Sequence, residues 1–187
     1  MSSPTDWMKS EYDELVKKGF DWKPPVIGGP STGRAIIDDK ERIMLCANNY
    51  LSMSNHPKVK QAAIDAVKSH GAGSGSVRPI AGNMDIHNEL EDTIARFKNR
   101  EAALYYQTGF AVNSGLIPQL AGKNDSIISD QLNHGSIIDG VRLSGVRKEN
   151  RTIYAHNDMG ELEDRLKEAT KKSEKTLVIS DGVFSMD

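Results

Sequence analysis

From Ala102 onward the chain alternates short apolar, β-branched runs with longer stretches of helical spacing, and this alternation limits the fold more than any other feature. Ala102-Ala-Leu-Tyr-Tyr106, Ser126-Ile-Ile-Ser129, Thr152-Ile-Tyr-Ala155 and Thr176-Leu-Val-Ile-Ser180 read as buried strands. Ala111 to Leu120, Ser136 to Leu143 and Asp158 to Ala169 read as the helices between them, the last opened by the capping-box pattern Asp158-x-x-Glu161. Two earlier helices are expected. Pro57 to Ser69 has Pro at its first position, and Asp85 to Phe97 aligns Ile86, Leu90, Ile94 and Phe97. Parallel strands need a crossover, usually helical, and a sheet that is apolar on both faces must be covered on both. The expected class is α/β, a three-layer α/β/α arrangement with a mostly parallel sheet.

The segment before it differs in kind. Trp7 to Gly19 carries Trp7, Met8, Tyr12, Leu15 and Val16 near helical spacing, which predicts an amphipathic arm. Lys23-Pro-Pro-Val-Ile-Gly-Gly-Pro30 reads as an extended linker. Ala35 to Ile37 and Ile43 to Cys46 read as two short strands turning at Asp38-Asp-Lys40. The division expected is an arm and small segment over residues 1–46 and a larger domain over 47–187.

A net charge of −2 gives no basic field, so nucleic acid is not favoured as a partner. The apolar runs are far shorter than a bilayer requires, and the first residues lack the basic and apolar regions of a signal peptide, so no membrane partner and a cytoplasmic location are expected. The single cysteine, Cys46, reads as a buried, inert thiol rather than a nucleophile.

Ligands of open parallel sheets bind beyond the carboxyl ends of the strands. Three polar stretches fall there. Gln107-Thr-Gly-Phe-Ala-Val-Asn113 runs from a strand into a helix, whose first N–H groups and positive end suit a phosphate. Ser129-Asp-Gln-Leu-Asn-His134 places His134 at the same edge, and Asp181-Gly-Val-Phe-Ser185-Met-Asp187 follows the last strand. Each alone is as readily an ordinary turn; three at one edge favour a shared pocket. Gly71-Ala-Gly-Ser-Gly-Ser-Val-Arg78 has neither the Lys of a P-loop nor the strand-first context of a dinucleotide fingerprint. It reads as a flexible connection or, given the length of the Gly71–Gly82 loop, a functional one. Asn48-Asn49 reads as a turn pair, and His56, His70, His87 and His156 show no metal-like spacing.

Taken jointly, Cys46-Ala-Asn-Asn-Tyr-Leu51, Ser76-Val-Arg78 with Gly82 and His87, Ile128 to Leu143, Asn157 to Glu163 and Asp181 to Asp187 resemble the α-oxoamine synthases. These are fold-type I pyridoxal-phosphate enzymes that condense an amino acid with an acyl-CoA, most of them releasing CO2. The His134 and Asp181 stretches look most like the glycine C-acetyltransferase branch, which implies glycine and acetyl-CoA as substrates in threonine breakdown. The alternatives are 8-amino-7-oxononanoate synthase or another α-oxoamine synthase and, in a different class, a binding module that kept the fold without the chemistry. The resemblance implies pyridoxal 5'-phosphate as cofactor, its phosphate on the backbone amides of Gly109 and Phe110, its ring against His134 and its phenolic oxygen on Ser185. It implies that Asn48 contacts the amino-acid carboxylate and that His134, also close to that carboxylate, is the catalytic residue of this stretch. It also implies a homodimer in which the Gly71–Gly82 loop reaches the partner's site. Two departures stand out: Ser52 where the family usually has glycine, and Thr108-Gly-Phe-Ala-Val-Asn113, which is unlike the acetyltransferase pattern. No lysine here matches the Schiff-base motif, so residues 47–187 are expected to be the first half of the cofactor-binding major domain and inactive alone.

Overall fold

A computed structural model describes residues 3–185. They form two compact units, one ending at Asn83 and the other beginning at Met84.

The first unit opens with helix α1 (Asp6–Lys17) and a hairpin of β1 (Arg34–Ile37) and β2 (Lys40–Ile43). The hairpin departs from the sequence reading. The expected second strand, Ile43 to Cys46, lies almost wholly beyond β2, and Cys46, expected to be buried within it, is exposed. Ile37 pairs directly with Lys40, leaving Asp38 and Asp39 as a two-residue loop with φ of 48° and 61°. Two positive φ values in succession are those of a type I′ turn, whose twist matches paired strands, and Asp tolerates that region. Turn geometry therefore sets the register, not the apolar run after it. Helix α2 (Pro57–His70) begins with Pro57 at its first position, and His56 Nδ1 accepts the Lys58 N–H at 3.2 Å. It stops at Gly71, whose φ of +80° suits a residue without a Cβ.

The second unit holds α3 (Asp85–Phe97), α4 (Gly109–Leu120), β3 (Ser126–Asp130), α5 (Gly135–Leu143), β4 (Arg151–Tyr154), α6 (Met159–Ala169) and β5 (Thr176–Ile179). The three strands form a parallel sheet in the order β4-β3-β5. β3, with a neighbour on each side, is buried along its whole length. Successive strand residues point to opposite faces, and the core follows that rule. Ile127 packs with Ile117 of α4, Ile137 of α5 and Val146; Ile128 packs with Tyr154 and Ala169, against Leu162 and Leu166 of α6. So α4 and α5 cover one face and α6 the other, giving the three layers expected. No helix among the described residues is long and apolar enough to cross a membrane.

Ala102–Tyr106, expected as a strand, is irregular. A strand exists only where a neighbour takes its backbone groups, and none of the described strands lies beside it. The Tyr105 N–H donates instead to Glu91 Oε1 at 2.8 Å, and Leu104 is exposed. At α6 the expected capping box is half made. Asp158 Oδ1 accepts the Glu161 N–H at 2.9 Å, but the Glu161 carboxylate turns back to the Ala155 N–H at 2.7 Å and so tethers the end of β4.

Candidate active site

The ends of β3 and β5 and the first turns of α4 and α5 enclose a cavity of about 260 Å3. It is lined by Gly109, Phe110, Asn113, His134, Ser136, Asp181, Val183 and Ser185. Gly109, Phe110, His134 and Ser185 therefore share one cavity, as expected at the strand ends. Asn48 belongs to the first unit, in the segment after β2.

Each wall is fixed by local chemistry. Thr108 caps α4, its Oγ1 accepting the Ala111 N–H at 3.0 Å while its carbonyl accepts the Val112 N–H at 3.1 Å. Of the first four N–H groups of the helix, those of Gly109 and Phe110 are left without a cap. A Cβ at Gly109 would meet no protein atom within 4 Å, and its φ is not positive. Neither backbone geometry nor packing explains a poor helix former there, whereas a ligand approaching the two amides would.

His134 caps α5. The Ser136 N–H donates to Nδ1 at 3.1 Å, with Ser136 Oγ 2.8 Å from the same nitrogen. A backbone amide can only donate, so Nδ1 is unprotonated and the ring proton sits on Nε2. Asn113 Nδ2 donates to Ser136 Oγ at 2.9 Å and ties α4 to that cap. The His134 N–H donates to Asp181 Oδ2 at 2.7 Å, and the Asp181 N–H donates to Asn133 Oδ1 at 2.8 Å. Asn133, only 5% exposed, spends its amide hydrogens on Ile179 O at 2.8 Å and Ser129 Oγ at 2.9 Å. One buried Asn thus clamps the ends of β3 and β5 together.

Beside it the Asp130 carboxylate is buried. Burial alone would raise its pKa, but hydrogen bonds from His156, the Leu132 N–H and the Asn157 N–H outweigh that and hold it below the usual carboxylate value. Glu161 is also lowered, chiefly by the Ala155 N–H and then by Arg165.

Asp181 stands out in the sequence only by its place just past the last strand, with no role attached, and Asn113, Asn133 and Ser136 do not stand out as site residues. Asn113, Asn133 and Asp181 lie inside the strand-end stretches and Ser136 two residues beyond one, so position was the available signal, but nothing in their residue types marked them. No group of His, Cys, Asp and Glu able to hold a metal ion occurs among the described residues.

A sequence profile described as Aminotransferase class I and II matches residues 40–187. The chain belongs to that family. Among curated relatives, 8-amino-7-oxononanoate synthases from Alkaliphilus metalliredigens and Thermoanaerobacter pseudethanolicus are 49% and 50% identical over 97% of the chain. The chain spans about 45% of their length. Among solved structures, Sphingomonas wittichii serine palmitoyltransferase superposes with a TM-score of 0.84 at 32% identity, over 98% of this chain and 46% of that one. A serine palmitoyltransferase from S. paucimobilis determined with bound PLP also gives 0.84, at 30% identity over 97% of this chain and 45% of that one. The fold is that of the fold-type I pyridoxal-phosphate transferases, and the relatives are α-oxoamine synthases, as the sequence resemblance implied. Pyridoxal phosphate is the cofactor of this aminotransferase-family branch.

The comparisons overturn one expectation. The relatives at 47–50% identity over nearly the whole chain are 8-amino-7-oxononanoate synthases, not glycine C-acetyltransferases. Glycine, acetyl-CoA and threonine breakdown are accordingly withdrawn. The His134 and Asp181 stretches that suggested them line the cavity's polar wall.

Proposed function

We propose that this chain supplies the phosphate-cup half of a pyridoxal-phosphate-dependent α-oxoamine synthase of the 8-amino-7-oxononanoate synthase type. The observation that carries the cofactor site is the meeting of two uncapped amides, His134 and Ser185 in one cavity. Its volume of about 260 Å3 suits a ligand smaller than those of the ~300–1,000 Å3 sites that hold drug-sized molecules. The choice of product follows the curated relatives.

The Gly109 and Phe110 N–H groups bind the phosphate, helped by the positive end of α4. Ser185 Oγ serves the phenolic oxygen. His134 lies against the ring, oriented by its own cap, and offers the Nε2 proton toward the substrate. Asn48 contacts the carboxylate of the amino acid. When bound, the cofactor supplies an electron sink for the bonding electrons released at the amino acid's α-carbon.

The product's structure names the substrates. Disconnecting 8-amino-7-oxononanoate between C7 and C8 leaves a seven-carbon dicarboxylic acyl group and an amine-bearing carbon with a methyl group. The first is a pimeloyl thioester; the second is alanine less CO2. The bond formed joins the acyl carbonyl to alanine's α-carbon, with release of the thiol and CO2. A homodimer in which the Gly71–Gly82 loop serves the partner's site, and a cytoplasmic location, belong to the same proposal.

The test is to follow thiol and CO2 release by the full-length enzyme, crossing alanine, glycine and serine with pimeloyl-, acetyl- and palmitoyl-CoA. Alanine with pimeloyl-CoA should give the highest kcat/KM. A preference for serine and palmitoyl-CoA would move the protein to another branch of the family, and cofactor binding without any turnover would make it a binding module. Gel filtration of the same protein should show a dimer.

A further inference from the structure

The segment Asp181–Ser185 carries two of the cavity's polar groups, yet it has no regular secondary structure. Its first residue is held by Asn133 and by the His134 N–H, as described. Its far end is held differently. Phe184 and His156 meet in a T-shaped contact, with ring centroids 4.4 Å apart and planes at 75°. His156 Nδ1 is 3.0 Å from Asp130 Oδ1. The carboxylate, with its lowered pKa, can only accept, so Nδ1 carries a proton here, opposite to His134. Asp130 also accepts from the Leu132 N–H at 2.8 Å and the Asn157 N–H at 3.2 Å. Its side chain is 1% exposed, and that of His156 is 24% exposed. The carboxylate is thus fixed from three directions, the imidazole is fixed by the carboxylate, and the imidazole in turn meets the Phe184 ring.

We infer that Asp130, His156 and Phe184 form a brace that sets the position of Ser185, with His156 and Phe184 as positioning residues for the cofactor. The inference rests on the cofactor reading above. None of the three lines the cavity, so none is a catalytic residue. The ring contact thus adds, beside Ser185, a second hold to the one at Asp181, across the conformationally free Gly182.

The test is a double-mutant cycle in the full-length enzyme: His156→Ala, Phe184→Ala and the pair, with Phe184→Leu as a variant that keeps apolar volume but not the ring. Both sites are partly exposed, which favours folding; Tm reports on any variant that does not fold, and Phe184→Leu then stands in for Phe184→Ala. Cofactor affinity is read by equilibrium dialysis and the bound cofactor's absorbance maximum by spectrophotometry. Each single change should weaken cofactor binding about two- to tenfold, the range of an aromatic edge contact, and shift the absorbance. The double variant should be no worse than the poorer single, because His156 acts through Phe184. Additive losses, or a lowered Tm with unchanged affinity and spectrum, would overturn the brace while leaving the cofactor reading intact. Wild-type protein that binds no pyridoxal phosphate would overturn both.

Discussion

At Gly140, α5 packs directly against the backbone of α4, and replacing it with alanine tests whether that contact sets the site. A Cβ there would lie 2.9 Å from Asn113 C and 2.9 Å from Ile117 Cδ1, and closer still to Asn113 O. Two of those atoms are main chain and cannot rotate aside, so the helices must part. Alanine gains ~1 kcal/mol over glycine in a helix interior, but forcing a methyl into a filled contact costs about 1–3 kcal/mol. Because the clash is with backbone, the upper part of that range applies, and a net loss of ~1–2 kcal/mol follows. For a chain of this size each kcal/mol lowers Tm by about 2–4 °C. Gly115, on the partner helix, is the control. Its nearest atom is Tyr106 Cε1 at 3.8 Å, so Gly115→Ala has room and should gain ~0.5–1 kcal/mol from propensity. Differential scanning fluorimetry should therefore show Tm falling for Gly140→Ala and rising for Gly115→Ala. Parting the helices also strains the Asn113–Ser136 bond at 2.9 Å, so cofactor binding should weaken in the first variant only. A Gly140→Ala protein as stable as the wild type would refute the reasoning, because nothing but that approach excludes the methyl.

Three further outcomes are expected. Ser52 holds a left-handed φ of 51°, which costs a non-glycine residue about 1–2 kcal/mol; after the ~0.5–1 kcal/mol that glycine loses on ordering, Ser52→Gly should raise stability by ~0.5–1 kcal/mol in urea titration. His134→Ala should lose the α5 cap, about 1 kcal/mol, and roughly a hundredfold in turnover, whereas His134→Asn should recover the stability but not the turnover in the full-length enzyme. The Asp130 pKa is lowered below its ordinary value of 3.8, so its stabilisation is present above that value and lost as the pH falls through the folded one. Asp130→Asn should be less stable at neutral pH and lose less on acidification below pH ~4; urea midpoints from pH 7 to 3 that ran parallel to wild type would contradict this.

The sheet of the second unit was legible because its strands are short apolar, β-branched runs and its central one, β3, is buried along its whole length; Ile127 and Ile128 face different helices. Ala102–Tyr106 has the same composition, yet a strand is made by its neighbours, and composition does not report them. The hairpin slipped because Ile43–Cys46 is the more apolar run, while the register is decided by two aspartates in left-handed conformations. The cavity was legible as a place, since parallel strands deliver their loops to one edge. Its inner supports were not. Asn133 and Ser136 are common residues in loops and at helix starts, and only the assembled sheet shows that Asn133 spans from β3 to β5. The acyl preference was misjudged because the stretches around His134 and Asp181 that suggested it build one polar wall of the cavity, and such a wall by itself does not report the length of an acyl group.

The strand order β4-β3-β5 has a consequence for how the site comes into being. β3 and β4 are joined through α5 and a single 3-10 turn at Lys148–Asn150, while β5 reaches β3 only after the chain has passed through β4 and α6 as well. Closing the longer loop carries the larger entropic cost, so β3–β4 pairing should precede β5 docking during folding. Until β5 docks, Asn133 lacks the Ile179 carbonyl and the Asp181 amide, and His134 lacks the carboxylate that receives its N–H. On a growing chain the α4 amides would stand ready before the residues opposite them arrive. Hydrogen exchange should reflect the same asymmetry: the amides of β3 open last, those of β5 earlier, and the crest reforms each time the outer strand returns.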